Sequence, residues 1–296
     1  DHVRFQNCTI FAPTSGMKAP SSDAIDIDVC HDVLVDGCEM SVNDDAIAIK
    51  GGKGTWADQA PENGPVYNVL IQNCNYGRVH GCLTLGSESV KDRNIVLRNI
   101  KVGNAQRVLW LKMRPDTPQH YEYVTVDNIT GTTGSFLVVR PWTQFFKPGD
   151  RKDMPLSQCN NITIKNIQMD CDNFFDVGTS DKYRLVDFTF ENIQSTDKKM
   201  AFNKDVIENT IVKNVNITMG FPLAQTPVYS FINAAMELQT NGYRFDTGRF
   251  TYETVSAILK HPYTRQLSTK ADIIERELTK TNRFYPLPSE LKQDEF

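Results

Sequence analysis

A short motif recurs eight times within the first 220 residues, and it constrains the fold more than any other feature of the chain. Each copy alternates apolar and variable positions, places Asn or Gly at a turn, and returns to an apolar residue or Cys. Such a repeat is typical of a solenoid with loops of variable length. The turn positions, 22 to 38 residues apart, are Asn7, Gly37, Asn73, Asn99, Asn128, Asn166, Asn192 and Asn214.

The period of the motif indicates its secondary structure. Apolar residues recur at every second position and are largely β-branched, which predicts short strands with one buried face, each ending at a turn residue. A coil of about 22 residues is too short for two helices but fits two or three strands that wind once around an axis. The sequence therefore predicts an all-β parallel β-helix over residues 1–220, with turn asparagines hydrogen-bonded in a ladder.

Residues 221–296 follow another pattern. A proline-rich stretch marks a boundary, and three later segments have helical apolar spacing, two of them preceded by Thr251 and Ser268 as N-caps. We predict a C-terminal helical appendage, either a cap on the open end of the solenoid or a separate module. Because the first residues already belong to a repeat, we also expect upstream coils to be missing or the N-terminal cap to come from elsewhere.

Composition limits the classes of partner. A formal charge of −4 and a pI near 5.8 argue against nucleic acid, and the chain has neither an apolar run long enough to span a membrane nor a visible signal peptide. The seven cysteines lack metal-ligand spacing and the density of a disulfide scaffold, so most are predicted to be buried thiols. No cofactor is indicated, and the oligomeric state stays open.

Three acidic residues recur at the spacing of one coil. Asp44 and Asp45 open one strand, and Asp23 lies 21 residues before Asp44. Coils stacked about 4.8 Å apart would gather the three carboxylates into one cluster, where at least one pKa should rise and separate a proton donor from an acceptor. Adjacent aspartates that stand alone are more often a solvated turn, so the prediction depends on the coil spacing.

The next coils supply other polar groups. His80 lies one coil further on, and Lys112 and Arg114 alternate in the coil after that. Each has an ordinary alternative, a structural turn for the histidine and solvent exposure for the two cations. Taken together, they predict a groove that suits an extended anionic polymer.

These residues carry a resemblance to a known family. The stretches Ser21–Asp23, Asp44–Asp45, Val79–Gly81 and Trp110–Lys112 resemble the Asn-Thr-Asp, Asp-Asp, Gly-His-Gly and Arg-Ile-Lys signature of polygalacturonase-type glycoside hydrolases, family 28. The resemblance implies a right-handed parallel β-helix and hydrolysis of α-linked galacturonate with inversion. It also implies a pectic polysaccharide or oligosaccharide as partner, a secreted or periplasmic location, and no metal.

The resemblance also implies roles for individual residues. Asp44 would be the general acid, while Asp23 and Asp45 would hold and deprotonate water, with about 6.5–9.5 Å between donor and acceptor carboxyls. His80 would tune the acid, and Lys112 would bind a substrate carboxylate. The stretch DDAIAIKGG, the insertion after it and HGCLTLGSE look more like exo-acting bacterial members than like short fungal endo-enzymes.

One departure affects substrate reading. Trp110 replaces the family arginine, so an indole stacking plane stands where a guanidinium would pair with a uronate. Arg114 or Arg140 would supply the missing charge, or the leaving sugar would be neutral. Two alternatives remain: a non-catalytic carbohydrate-binding β-helix with Trp110 as platform and Lys112 as clamp, and a calcium-dependent pectic lyase.

Overall fold

The repeated strands pair in parallel with their equivalents one coil later, as the motif predicts. The structure, a computed structural model, describes residues 2–13, 20–147, 149–199, 202–218 and 226–292. The chain divides into two compact units, Asp1–Gly220 and Phe221–Phe296, the first built of parallel strands and the second mainly of helices.

Among the described residues, the first unit contains thirteen strands of one parallel sheet system that winds around the core. They are β1 (Arg4–Gln6), β2 (Thr9–Phe11), β3 (Ile25–Asp28), β4 (His31–Asp36), β5 (Glu39–Ser41), β6 (Ile47–Lys50), β7 (Pro65–Gln72), β8 (Asn75–Leu85), β9 (Lys91–Met113), β10 (His120–Pro141), β11 (Ser157–Val177), β12 (Tyr183–Asp197) and β13 (Ile211–Thr218).

The later strands are longer than the sequence predicts. β9, β10 and β11 run for 23, 22 and 21 residues, each following most of a coil without interruption. Their corners are single residues in the left-handed region, such as Asn99 with φ 56° and Asn128 with φ 57°. One such residue turns the chain while its neighbours keep their parallel pairing, so the predicted strand ends become bends within a longer strand.

The corner asparagines form the predicted ladder. Asn99 donates to Asn73 over 3.0 Å, and Asn128 donates to Asn99 over 2.9 Å. Two steps differ, because Asn73 donates to Asp36 at 2.8 Å and Asn166 donates to Asp127 at 2.7 Å instead of to an asparagine. Asn therefore has two functions at these corners: its backbone tolerates positive φ, and its side-chain amide both donates and accepts hydrogen bonds.

Replacing Asn99 by Ala should destabilise the first unit by about 2 kcal/mol, because a left-handed Ala is strained and two side-chain hydrogen bonds are lost. Asn99→Gly keeps the backbone freedom and loses only the amide, so it should cost less. Urea unfolding of both variants checks this. Equal free energies of unfolding for the two variants would mean that the left-handed backbone at residue 99 makes no difference to stability.

Inward-facing side chains fill the core with Ile, Val, Leu and Phe, together with five buried cysteines. Cys38 and Cys74 are buried thiols as predicted, whereas Cys8, in the same slot of the first coil, is half-buried. All seven cysteines are free in the described part of the chain.

A buried carboxyl near the start of β9 lies outside the repeat. Asp92 is fully buried, accepts a hydrogen bond from Ser89 at 2.5 Å, and its Oδ2 has no hydrogen-bond partner among the described residues. Burial raises the pKa of Asp92 to about 8, well above its ordinary value near 3.8. The folded protein therefore holds this carboxyl protonated at neutral pH.

We expect this carboxyl to make stability fall with pH. Because its folded pKa is the higher one, its contribution is complete below about pH 4 and is lost as pH rises through about 8. Asp92→Asn should flatten that decline by several kcal/mol, measured as the free energy of unfolding between pH 5 and 9. Asp181→Asn, whose side chain is 83% exposed, should leave the decline as it is; an unchanged slope in Asp92→Asn would contradict the assignment.

The second unit contains a two-stranded hairpin and five helices among its described residues, more helices than predicted. Its elements are α1 (Pro227–Glu237), a π-helical turn (Leu238–Gly242), β14 (Tyr243–Arg244), β15 (Arg249–Phe250), α2 (Tyr252–Leu259), α3 (Pro262–Leu267), α4 (Lys270–Lys280) and α5 (Pro288–Leu291). Thr251 precedes α2 as predicted, but α4 begins after Thr269, because Ser268 ends α3. No described helix is long and apolar enough to cross a membrane.

Candidate active site

Backbone pairing between two coils gathers the three predicted carboxylates. The Asp45 amide donates to Asp23 Oδ1 at 2.9 Å, and the Ala24 amide donates to the Asp45 carbonyl at 2.9 Å. As a result, one carboxylate oxygen from each of Asp23, Asp44 and Asp45 lies within 4.8 Å of the others. The coil spacing therefore brings together the residues that it predicted would meet.

The oxygens of the three carboxylates lie close together. One oxygen from each residue lies within 4.8 Å of the others, whereas the roughly 6.5–9.5 Å of inverting glycosidases is a separation between whole carboxyl groups. The tight coil pairing causes this, because Asp23 is drawn in as an acceptor for the Asp45 amide. Two oxygens at such a distance can still share one water molecule, since each hydrogen bond spans about 2.8 Å.

His80 lies beside Asp44. The His80 amide donates to the Asp44 carbonyl at 2.9 Å, and His80 Nδ1 lies 3.3 Å from Asp44 Oδ1. The two side chains are 39% and 25% exposed, so both reach the surface. Asp44 is therefore open to a ligand and has a titratable partner.

Asp45 has a different environment. Its side chain is 2% exposed, and Lys112 Nζ donates to its Oδ2 at 3.2 Å. Burial raises the pKa of Asp45; Lys112 acts in the opposite direction, and the charges of Asp44 and Asp23 add to the rise. The pair is thus a buried ion pair whose desolvation outweighs its mutual attraction.

A fourth carboxylate, absent from the sequence-based prediction, joins the cluster. Asp26 forms a side-chain hydrogen bond with Asp23, and burial, followed by the charge of Asp23, raises the pKa of Asp26. Lys50 Nζ lies 3.9 Å from Asp26 and an equal distance from Glu88. The signal for Asp26 was in the sequence, because residues 23 and 26 bracket one strand start within SSDAIDI.

The structure does not leave Trp110 open as a platform. It is 8% exposed, with Arg107 Cζ 3.9 Å and Lys112 Nζ 4.0 Å from its ring, and Trp142 packs edge-on at 5.2 Å. Lys112 is also largely buried and already paired with Asp45. The predicted roles of a sugar platform and a substrate clamp therefore do not fit these two side chains as they lie.

Arg107 is the cation that the sequence prediction missed. It is half-buried, and its guanidinium lies against Trp110 and interacts electrostatically with Asp45, Asp176 and Asp44. Burial lowers the pKa of Arg107, and those three carboxylates oppose the change. Arg107 also lines an open groove of about 600 Å³ with Gln106, Thr132 and Lys198.

Arg114 does not fit its predicted role either. Its side chain is 1% exposed and forms two 2.7 Å hydrogen bonds with Asp116. It also donates to the carbonyls of Gln144 and Phe145, at 3.1 and 3.3 Å. Arg114 therefore fixes a loop after β10 and does not face the groove, while Arg140 is paired with Asp176.

The insertion after β6 is tied to the same loop region. Trp56 Nε1 donates to Asp150 at 3.0 Å, Arg151 pairs with Asp58, and Arg151 lies 4.7 Å from the Trp56 ring. In the same segment, Lys53 Nζ lies 3.3 Å from Glu88. These contacts hold residues 51–64 in a defined position.

Comparison with known proteins agrees with this geometry. The profile of the family described as "Glycosyl hydrolases family 28" matches residues 1–130. The matched segment is less than half of the chain. The matched segment includes the acid cluster, His80 and Lys112, so the resemblance to polygalacturonase-type glycoside hydrolases that the motifs carry is confirmed.

Solved structures extend the comparison to the fold. The crystal structure of a hyperthermoactive exopolygalacturonase from Thermotoga maritima is 17% identical, with a TM-score of 0.54, and the match covers 73% of this chain and 47% of that one. The predicted parallel β-helix is therefore confirmed as the fold. A family 28 exopolygalacturonase from Yersinia enterocolitica gives 13% identity and a TM-score of 0.39, over 67% of this chain and 38% of that one.

The chain spans less than half the length of these two solved enzymes. No curated protein matches it.

Proposed function

We propose that this protein is a family 28 glycoside hydrolase that hydrolyses α-linked galacturonate or a related uronic-acid linkage in pectic polysaccharides, with inversion and by exo-action, in a secreted or periplasmic setting. The observation that carries the proposal is the convergence of Asp23, Asp44 and Asp45 within 4.8 Å beside His80. One exposed and one buried carboxyl, side by side, match the two roles that glycoside hydrolysis needs.

Contacts assign the roles among the acids. Asp23 and Asp44 are both partly exposed, but Asp44 has His80 beside it as a proton partner, so Asp44 protonates the leaving glycosidic oxygen. Asp45 is buried against Lys112, and Asp23 is tied to the Asp45 amide. Neither can approach a sugar carbon easily as a nucleophile, which favours water held between them as the attacking group and thus inversion.

Arg107 provides the positive charge for the substrate. It is half-buried beside the acids, and its guanidinium lies against the Trp110 ring in a fixed plane. A guanidinium held in this way pairs well with a planar carboxylate, so it suits a uronate in the adjoining groove. A pectic chain or oligosaccharide is therefore the proposed partner.

The test is product analysis with polygalacturonate and defined pectic oligosaccharides. We expect reducing-sugar release, and the first product should be the β-anomer by proton NMR because the bond attacked is α. Release of the α-anomer would contradict inversion. A product pool of monomer or dimer from the earliest times would support exo-action, to which the anchored 51–64 segment and the likeness to the Thermotoga maritima exopolygalacturonase point, whereas a ladder of oligomers would contradict it.

The same assay separates the alternatives. Binding to the polymer without any release would favour a non-catalytic carbohydrate-binding β-helix. Products that absorb in the ultraviolet, formed only when calcium is present, would favour a lyase.

A further inference from the structure

Two buried oxygens beside the acid cluster face the same small space. Asp45 Oδ1 and Thr84 Oγ1 are inaccessible to solvent, and neither has a hydrogen-bond partner among the described residues. Thr84 is fully buried and Asp45 is 1% exposed. Because an unsatisfied buried carboxylate oxygen is costly, this arrangement calls for a local partner.

Gly81 is what allows the two groups to approach each other. A Cβ at residue 81 would lie 2.2 Å from Thr84 Oγ1 and 2.6 Å from Asp45 Oδ1, too close for any side chain. Both oxygens therefore border the space that the missing Cβ leaves. The Gly81 carbonyl also accepts from the Ala46 amide at 2.8 Å, which holds this stretch of β8 against the residue after Asp45.

We propose that Thr84 is a positioning residue for the water-activating carboxylate: a rotation of its side chain lets the hydroxyl donate to Asp45 Oδ1 beside Gly81, a hydrogen bond that the two groups do not form as they lie. Lys112 holds Oδ2, so the two contacts together fix the plane of the Asp45 carboxylate. This inference rests on the proposed function for its catalytic meaning, but the hydrogen bond itself can be tested without activity.

The contact favours the ionised form of Asp45. A donor to a carboxylate lowers the carboxyl pKa, whereas burial raises the pKa of this group. Thr84 thus keeps Asp45 able to accept a proton from water at the acidic end of the activity range. The other titratable groups that act on Asp45, from the elements packed around it, are Asp23, Asp26, Asp44, Cys82, Arg107 and Lys112.

Two substitutions isolate the hydroxyl. Thr84→Val keeps the shape and removes the donor, and Thr84→Ser keeps the donor and removes a methyl group. We measure kcat/KM for a pectic oligosaccharide as a function of pH. In Thr84→Val, kcat/KM should fall about tenfold at the acidic side of this profile, and the pH at which activity is lost on that side should rise by about one unit. Thr84→Ser should lose activity at the same acidic pH as the original protein. Loss of activity at the same acidic pH in both variants would overturn the proposal.

A matched control measures the ordinary effect of a buried hydroxyl. Thr133 Oγ1 is buried and donates to the carbonyls of Ala105 and Ser135, both at 3.1 Å. Thr133→Val should lower Tm by an amount that does not depend on pH. The Tm difference between Thr84→Val and Thr84→Ser should instead grow as pH rises from 4 to 7, because the lost donor matters most to ionised Asp45.

The two readouts separate the possible failures. If the original protein releases no sugar from any pectic substrate, the proposed function fails, yet the pH-dependent Tm difference still tests the hydrogen bond. If Thr84→Val lowers Tm by a pH-independent amount, as Thr133→Val does, the positioning role is wrong whatever the activity.

Discussion

Asp44→Asn should reduce turnover of a pectic substrate by about 10²- to 10⁴-fold, the usual contribution of a general acid. Asn has nearly the shape of Asp but no proton to give to the leaving oxygen. Asp44 is partly exposed and its carboxylate has His80 as its neighbour. The fold should therefore tolerate the change, and Tm and the circular dichroism spectrum should stay close to those of the original protein.

A control within the neighbouring coil makes the result specific. Asp28 lies exposed in β3, the strand that follows Asp23, so Asp28→Asn removes a nearby charge without touching the cluster. It should retain turnover. Asp44→Asn with more than a tenth of the original activity would remove Asp44 from the role of acid.

The second large effect is expected on stability. Lys112→Met should destabilise the folded protein by about 3–5 kcal/mol at neutral pH, because it leaves the buried Asp45 carboxylate without its cation. The loss should be smaller at low pH. Asp45 has a folded pKa above its unfolded one, so its protonated form carries no penalty and the destabilisation grows as pH rises through the folded pKa.

A double substitution distinguishes a lost charge partner from lost packing. Lys112→Met with Asp45→Asn removes both charges, so most of the stability should return while activity stays absent. Chemical denaturation of the four proteins in this cycle gives the coupling free energy between the two residues. Additive effects of the two changes would mean that the ion pair is not the cause.

Much of the fold followed from the sequence because the repeat encodes it locally. The alternation of apolar and polar residues predicts which side chains face the core, and the Asn or Gly at each corner predicts where the chain turns. The coil spacing also predicted that Asp23 would meet Asp44 and Asp45, since stacked coils repeat the same position. The helices of the second unit were harder to predict from the sequence: α3 was missed, because a six-residue helix has little hydrophobic periodicity.

The sequence by itself determined the solenoid, the ladder and the identity of the acid cluster, because each depends on a repeat that recurs once per coil. Only the tertiary structure decided which outward-facing side chains are free. Trp110, Lys112 and Arg114 all stand at plausible positions in β9 or just after it, yet Arg107, Asp45 and Asp116 cover or pair with them. Exposure of such residues depends on side chains from neighbouring coils and from loops of irregular length, which no local pattern specifies.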